Sequence, residues 1–261
     1  MNHHPNEHFD IPAAGLPSEH LPTPSADRPA REPFWGYQDV LIFAALALPS
    51  LLFAALLSQA VFLILGLAPP KAVKVLIPQF LGYGFLFAAL YLLLRLKYGR
   101  PFWTSLGFVI PRHGMTASLM YGPVVAFSIA ILGALIRTPQ IDMPIRELLS
   151  DNVSILMMGI FATTLGPLCE ELAFRGFLQP LLQRTFGGVA GIVLAALPFA
   201  FLHGPQYGWS WRHILLLSLA ATAFGWTRYK TGSTAAAAVM HATYNLTFFI
   251  AFLLQGKDIS A

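Results

Sequence analysis

The chain has 261 residues, of which 56% are hydrophobic and only 11% charged, with a mean hydropathy of +0.63; an average soluble domain carries roughly a quarter charged residues. An all-α, polytopic integral membrane helix bundle is the expectation. The net charge of +4 comes from basic residues scattered at segment ends, which argues against a nucleic-acid partner. The single cysteine, Cys169, excludes an internal disulfide and a cysteine-rich zinc framework.

Residues 1–36 are polar and hold seven prolines together with His3, His4, His8 and His20. They read as a disordered, Pro-rich tail. They lack the basic stretch followed directly by a short apolar run that marks a cleaved leader. From Leu41 the chain turns into apolar runs of about 20 residues, the length needed to cross roughly 30 Å of hydrocarbon. These are Leu41 to Leu67, with Pro49 inside it, Val75 to Leu94, Thr116 to Leu135, Val153 to Leu178, Val189 to His203, His213 to Trp226 and Ala235 to Leu254. The expectation is seven transmembrane helices, or eight if one run is split. No internal repeat is evident.

This divides the chain into the tail (1–36), two helices and an interfacial linker (37–115), a second helical domain (116–254) and a short C-terminal tail (255–261). With alternate connections assigned to opposite sides, nine basic residues fall on the side of the amino terminus and six on the other. That bias predicts a cytoplasmic amino terminus. Trp103, Trp209 and Trp211 are placed to act as interfacial aromatics.

Two adjacent acids, Glu170 and Glu171, interrupt the fourth apolar run. A carboxylate in hydrocarbon costs about 2.5 to 3.5 kcal/mol on insertion scales, so such a residue faces a partner, a water-filled cavity or a reaction centre. Glu171 and Arg175 are four apart with the acid first, the orientation that pairs best on a helix. Glu170 is rotated by about 100° from Glu171 at 3.6 residues per turn, so it projects elsewhere. The plain alternative is one structural ion cluster of all three residues. The fifth run adds Phe199 and His203 on one face, and the last adds His241 and Asn245 on another. A bundle that buries polar groups from three segments must gather them or leave them unsatisfied in lipid. Imidazole and carboxylate form hydrolytic zinc sites, and they also serve metal-free general-base chemistry. Pro167, just before the acids, frees the carbonyl of Thr163, which would loosen that helix and widen a cavity; a packing kink is the plain alternative.

These residues resemble the CPBP family, the CAAX proteases and bacteriocin-processing (Abi) enzymes. Glu170-Glu171 with Arg175 matches Glu-Glu-x-x-x-Arg, Phe199 with His203 matches Phe-x-x-x-His, and His241 with Asn245 matches His-x-x-x-Asn. The resemblance runs over residues 116–254. It implies an intramembrane endopeptidase in which Glu170, His203, His241 and Asn245 are catalytic and Glu171, Arg175 and Phe199 are supporting. Glu170 would activate water, His203 would help it or bind metal, and His241 with Asn245 would serve the oxyanion or the metal. It leaves Zn2+ as an option, held by Glu170, His203 and His241, beside a glutamate-only mechanism. The implied partners are the lipid bilayer and a membrane protein or lipidated peptide substrate, in a bacterial inner (plasma) membrane. Two other readings stand: a proton-coupled transporter using the buried Glu, His and Arg groups, and a catalytically silent membrane scaffold.

Overall fold

The apolar runs become helices because nothing in hydrocarbon other than the chain itself can satisfy backbone N–H and C=O groups. The computed structural model describes Met1, residues 33–141 and residues 151–255. Most of the reading of 1–36 as a disordered tail, and nearly all of the C-terminal tail, lies outside the described residues. The described elements are all helical. They run α1 (Tyr37–Ile64), α2 (Lys71–Leu92), a short α3 (Phe102–Ser105), α4 (Met115–Leu135), α5 (Asn152–Thr163), α6 (Leu165–Glu171), α7 (Gln179–Phe186), α8 (Gly188–Leu202), α9 (Trp211–Thr231) and α10 (Thr234–Gln255). Two π-helical stretches extend them, Leu93–Lys97 after α2 and Leu172–Leu178 between α6 and α7.

Every apolar run predicted from the sequence is found as a helix. Among the described residues five helical segments are long and apolar enough to cross a membrane: α1, Lys71–Lys97, α4, Asn152–Phe186 and α10. Two of the expected spans differ for physical reasons. The 15 residues of α8 are too few, and α9 carries Arg212, His213, Arg228 and Lys230. The outer surface is apolar, with Leu41, Leu48 and Leu56 of α1 at 67%, 64% and 72% exposure, as a lipid-facing helix requires.

Helix α10 is the hub: it packs against α4, α5, α6 and α9, while α1 pairs with α2 and α8 lies between α7 and α9. The close approach of α4 depends on Gly122, where an added Cβ would stand 2.5 Å from the carbonyl oxygen of Met240 and 2.8 Å from the amide of Tyr244. Both obstacles are backbone and cannot swing aside. Gly122→Ala is therefore expected to push α10 outward and destabilise the bundle by about 1 to 3 kcal/mol. Thermal unfolding in detergent measures it; an unchanged melting temperature would show that the two helices separate without strain.

A third acid, at the start of the bundle, also lies in the core. Asp39, in the first turn of α1, is 1% exposed. It accepts from Lys97 Nζ at 2.5 Å and from the Tyr98 hydroxyl at 2.6 Å, which clasps the start of α1 to the end of α2. The adjoining Trp35 is 2% exposed and donates its indole N–H to the carbonyl of Phe177 at 3.0 Å. Its ring stacks on Phe177 at 5.3 Å. Trp35→Phe keeps the ring but strands that buried carbonyl, with an expected loss of about 1 to 3 kcal/mol. Denaturation of the purified variant tests this; wild-type stability would mean that another donor serves Phe177.

Candidate active site

The break in the fourth run creates the site. Pro167 has no N–H, and helix α5 ends at Thr163, with Thr164 at φ −132°, ψ −79° before α6 begins at Leu165. Carbonyls at a helix C-terminus lack intrahelical partners. Asn245, from α10, donates its side-chain N–H to one of them, the Ala162 carbonyl, at 2.7 Å. The Asn245 amide is thereby fixed in place by the interruption that Pro167 imposes.

Immediately beyond the break the two acids diverge as their rotation on the helix predicts. Glu171 is fully buried and Glu170 keeps 24% of its side chain exposed. Arg175 Nη1 stands 2.9 Å from Glu171 Oε1, so the expected ion pair is present. The guanidinium, 1% exposed, also donates from Nη2 to the Ala221 carbonyl of α9 at 2.7 Å. It lies over the rings of Phe199 at 4.8 Å and Phe224 at 5.5 Å. One turn on, the buried Gln179 repeats the device by donating to the Gly225 carbonyl at 3.0 Å. Together Arg175 and Gln179 tie the glutamate-bearing helix to α9.

Sequence reasoning gave Glu171 a single partner, but it has two. His241 Nδ1 lies 2.9 Å from the same Oε1. The other nitrogen of that ring, Nε2, stands 3.8 Å from Glu170 Oε2. His241 is 4% exposed, stacked on Phe224 at 4.5 Å and met edge-on by Phe199 at 5.8 Å. Its ring is held by packing on two sides and by a carboxylate behind it. No motif spacing signals this contact, because it joins residues 70 positions apart on different helices.

His203 follows the last residue of α8. Its Nδ1 is 2.8 Å from the Phe199 carbonyl, and its ring lies 4.7 Å from that of Phe199. Phe199 thus touches His203, His241 and Arg175, which accounts for an aromatic at that position. Among the described residues His203 makes no hydrogen bond to Glu170 or His241.

A zinc site gathers three or four ligands at about 2.0 to 2.3 Å from one point. Among the described residues no three His, Cys, Asp or Glu side chains are placed to hold a metal ion. Nδ1 of His203 rests on the Phe199 carbonyl and Nδ1 of His241 on Glu171, so Nε2 is the nitrogen through which either ring would bind a metal or a water.

A buried, partnered carboxylate behind an imidazole, with a second, part-exposed carboxylate in front of it, inside an apolar helix bundle, is an arrangement suited to hydrolysis within a membrane. The comparisons with known proteins agree in class. Residues 152–247 match the family model described as Rce1-like, the type II CAAX prenyl endopeptidase Rce1-like family. Over that segment the chain is similar to this family, as the three motifs implied, and the match supports a CAAX-type intramembrane endopeptidase in general. No curated protein and no solved structure matches the chain.

Proposed function

We propose that the protein is an intramembrane endopeptidase that hydrolyses peptide bonds of membrane-associated or lipidated proteins, with Glu170 as the general base. The observation that carries this reading is the pairing of a part-exposed Glu170 with the anchored His241 at 3.8 Å, beside a fully buried Glu171 whose Oε1 is shared by Arg175 and His241. Only Glu170 of the two acids is open to water.

In the proposed reaction Glu170 takes a proton from a water molecule as the oxygen attacks the peptide carbonyl. The tetrahedral intermediate then collapses, the C–N bond breaks, and the proton held by Glu170 passes to the departing amine. A positioned base typically contributes about 10²- to 10⁴-fold. His203, with Nδ1 turned to the Phe199 carbonyl, keeps Nε2 for orienting the water. His241 acts from Nε2, because Glu171 holds its other nitrogen and would stabilise positive charge on the ring as the oxyanion develops. Asn245, whose amide is fixed on Ala162, supplies a second donor from its other N–H in this reading, and one such donor is typically worth about 2.7 to 4 kcal/mol. Phe199 and Arg175 hold these groups in register.

The bundle end that carries Arg95, Lys97, Arg100, Arg112, Arg184, Arg228 and Lys230 is assigned to the cytoplasm, because the opposite end holds only Lys71, Lys74, Arg137 and Arg212 among the described residues. The reaction is tested with purified protein in proteoliposomes and a peptide bearing a prenylated or acylated cysteine, following release of the C-terminal fragment by mass spectrometry. Full activity after exhaustive chelation is the expected result. Activity lost to the chelator and restored by zinc would assign the water activation to a metal instead.

A further inference from the structure

A second polar feature lies away from the glutamates. At the basic end of the bundle is an open cavity of about 580 Å³, walled by Trp35 before α1, by Arg100, Thr104 and Ser105 at α3, by Arg184 of α7 and by Arg228 of α9. None of the described lining residues is acidic. Arg184 lies 14 residues past Glu170 on a continuous helix, about 20 Å away at 1.5 Å per residue, so this is not part of the hydrolytic site.

The walls are fixed. The Arg184 guanidinium donates to the Pro33 carbonyl, and Arg100 lies over the Phe34 ring at 5.7 Å. Gly107 brings the α3 loop against Arg228: at φ +64° it is in the left-handed region, and a Cβ there would collide with the guanidinium. Arginine presents a planar fork that grips phosphate oxygens in pairs. Beside the cavity, Phe186 and Val189 flank its Gly188 wall and are 55% and 63% exposed, while Trp103 next to Thr104 is 52% exposed. An anion site bordered by exposed apolar side chains at a membrane boundary suits an amphiphile better than a soluble ion.

We propose that this cavity binds the phosphate-bearing headgroup of an anionic membrane lipid, with Arg100 and Arg184 as the principal phosphate contacts and the acyl chains lying along Phe186 and Val189. The site is independent of the hydrolytic reading and would hold in a catalytically silent protein.

The test uses the full chain in nanodiscs of phosphatidylcholine with or without phosphatidylglycerol, and counts lipids retained after release by native mass spectrometry. Wild type is expected to retain phosphatidylglycerol in preference to phosphatidylcholine. The double variant Arg100→Gln, Arg184→Gln is expected to lose roughly thirtyfold in that retention, given about a fivefold change per guanidinium near a membrane surface. Arg95→Gln with Lys230→Gln removes equal charge from exposed positions at the same end and is expected to retain the lipid; equal loss in that control would reduce the effect to general surface charge and overturn the site. Arg100→Lys with Arg184→Lys covers the case in which the glutamine variant fails to fold. It keeps the charge but not the fork, so retention falls between the two if the site is real, and wild-type retention contradicts phosphate gripping by arginine. Inorganic phosphate at millimolar concentration is expected not to displace the lipid; full displacement would make the site one for a free anion. If wild type shows no preference, but a variant with Glu7, Asp10, Glu19, Asp27 and Glu32 changed to glutamine does, the amino-terminal carboxylates are the occupant and the lipid assignment fails.

Discussion

Glu170→Gln is expected to lower turnover by about 10²- to 10⁴-fold while leaving the fold intact. The substitution is nearly isosteric. Among the described residues the Glu170 carboxylate makes no hydrogen bond and approaches His241 at 3.8 Å, so an amide can be accommodated without stranding a partner. Melting temperature and elution in detergent should match wild type, and loss should appear in kcat rather than in substrate binding. Undiminished cleavage by the folded variant would remove Glu170 from the base role. Because only one of two adjacent acids is expected to behave in this way, the neighbouring substitution supplies the contrast.

Glu171→Gln should damage the protein itself. Glu171 Oε1 is shared by Arg175 and His241, each at 2.9 Å, in a pocket with no exposure. Neutralising it leaves a buried guanidinium without its counter-charge, for which about 3 to 5 kcal/mol is the usual loss. A compensating change separates the two duties of this acid. Glu171→Gln combined with Arg175→Met removes both charges, so most of the stability should return, since replacing a whole buried pair by apolar groups is often neutral. Activity should stay low, because His241 still lacks the carboxylate that fixes its ring. Thermal melts of both variants, set beside turnover, distinguish the roles. Full activity in the double variant would show that His241 is oriented without Glu171.

The helices and their order were legible because hydrocarbon demands long apolar runs, and the division between Glu170 and Glu171 was legible because helix rotation alone sets their directions. The kink at Thr164 follows directly from Pro167, since the missing donor is a property of one residue. Contacts between helices were not legible in the same way. The bond from Glu171 to His241 and the anchoring of Asn245 on Ala162 join distant positions with no local pattern. Asp39 was hidden for a different reason. It stands at the polar margin of α1, where hydropathy reads a boundary, and only the return of Lys97 and Tyr98 to the same end makes it a buried partner. The distance between His203 and the glutamates likewise depends on how α8 is packed against α9, which no spacing encodes.

Peptide-bond cleavage in the membrane by Glu170 is the proposal from which the other roles follow. It is tested most directly by comparing protein termini in membranes of the source cell carrying wild type or Glu170→Gln at matched expression. The account predicts new termini that appear only with wild type and that map to membrane-associated or lipidated proteins. Identical sets of termini, under conditions in which the protein is known to act, would contradict it and leave the buried glutamates to a scaffold or a proton pathway.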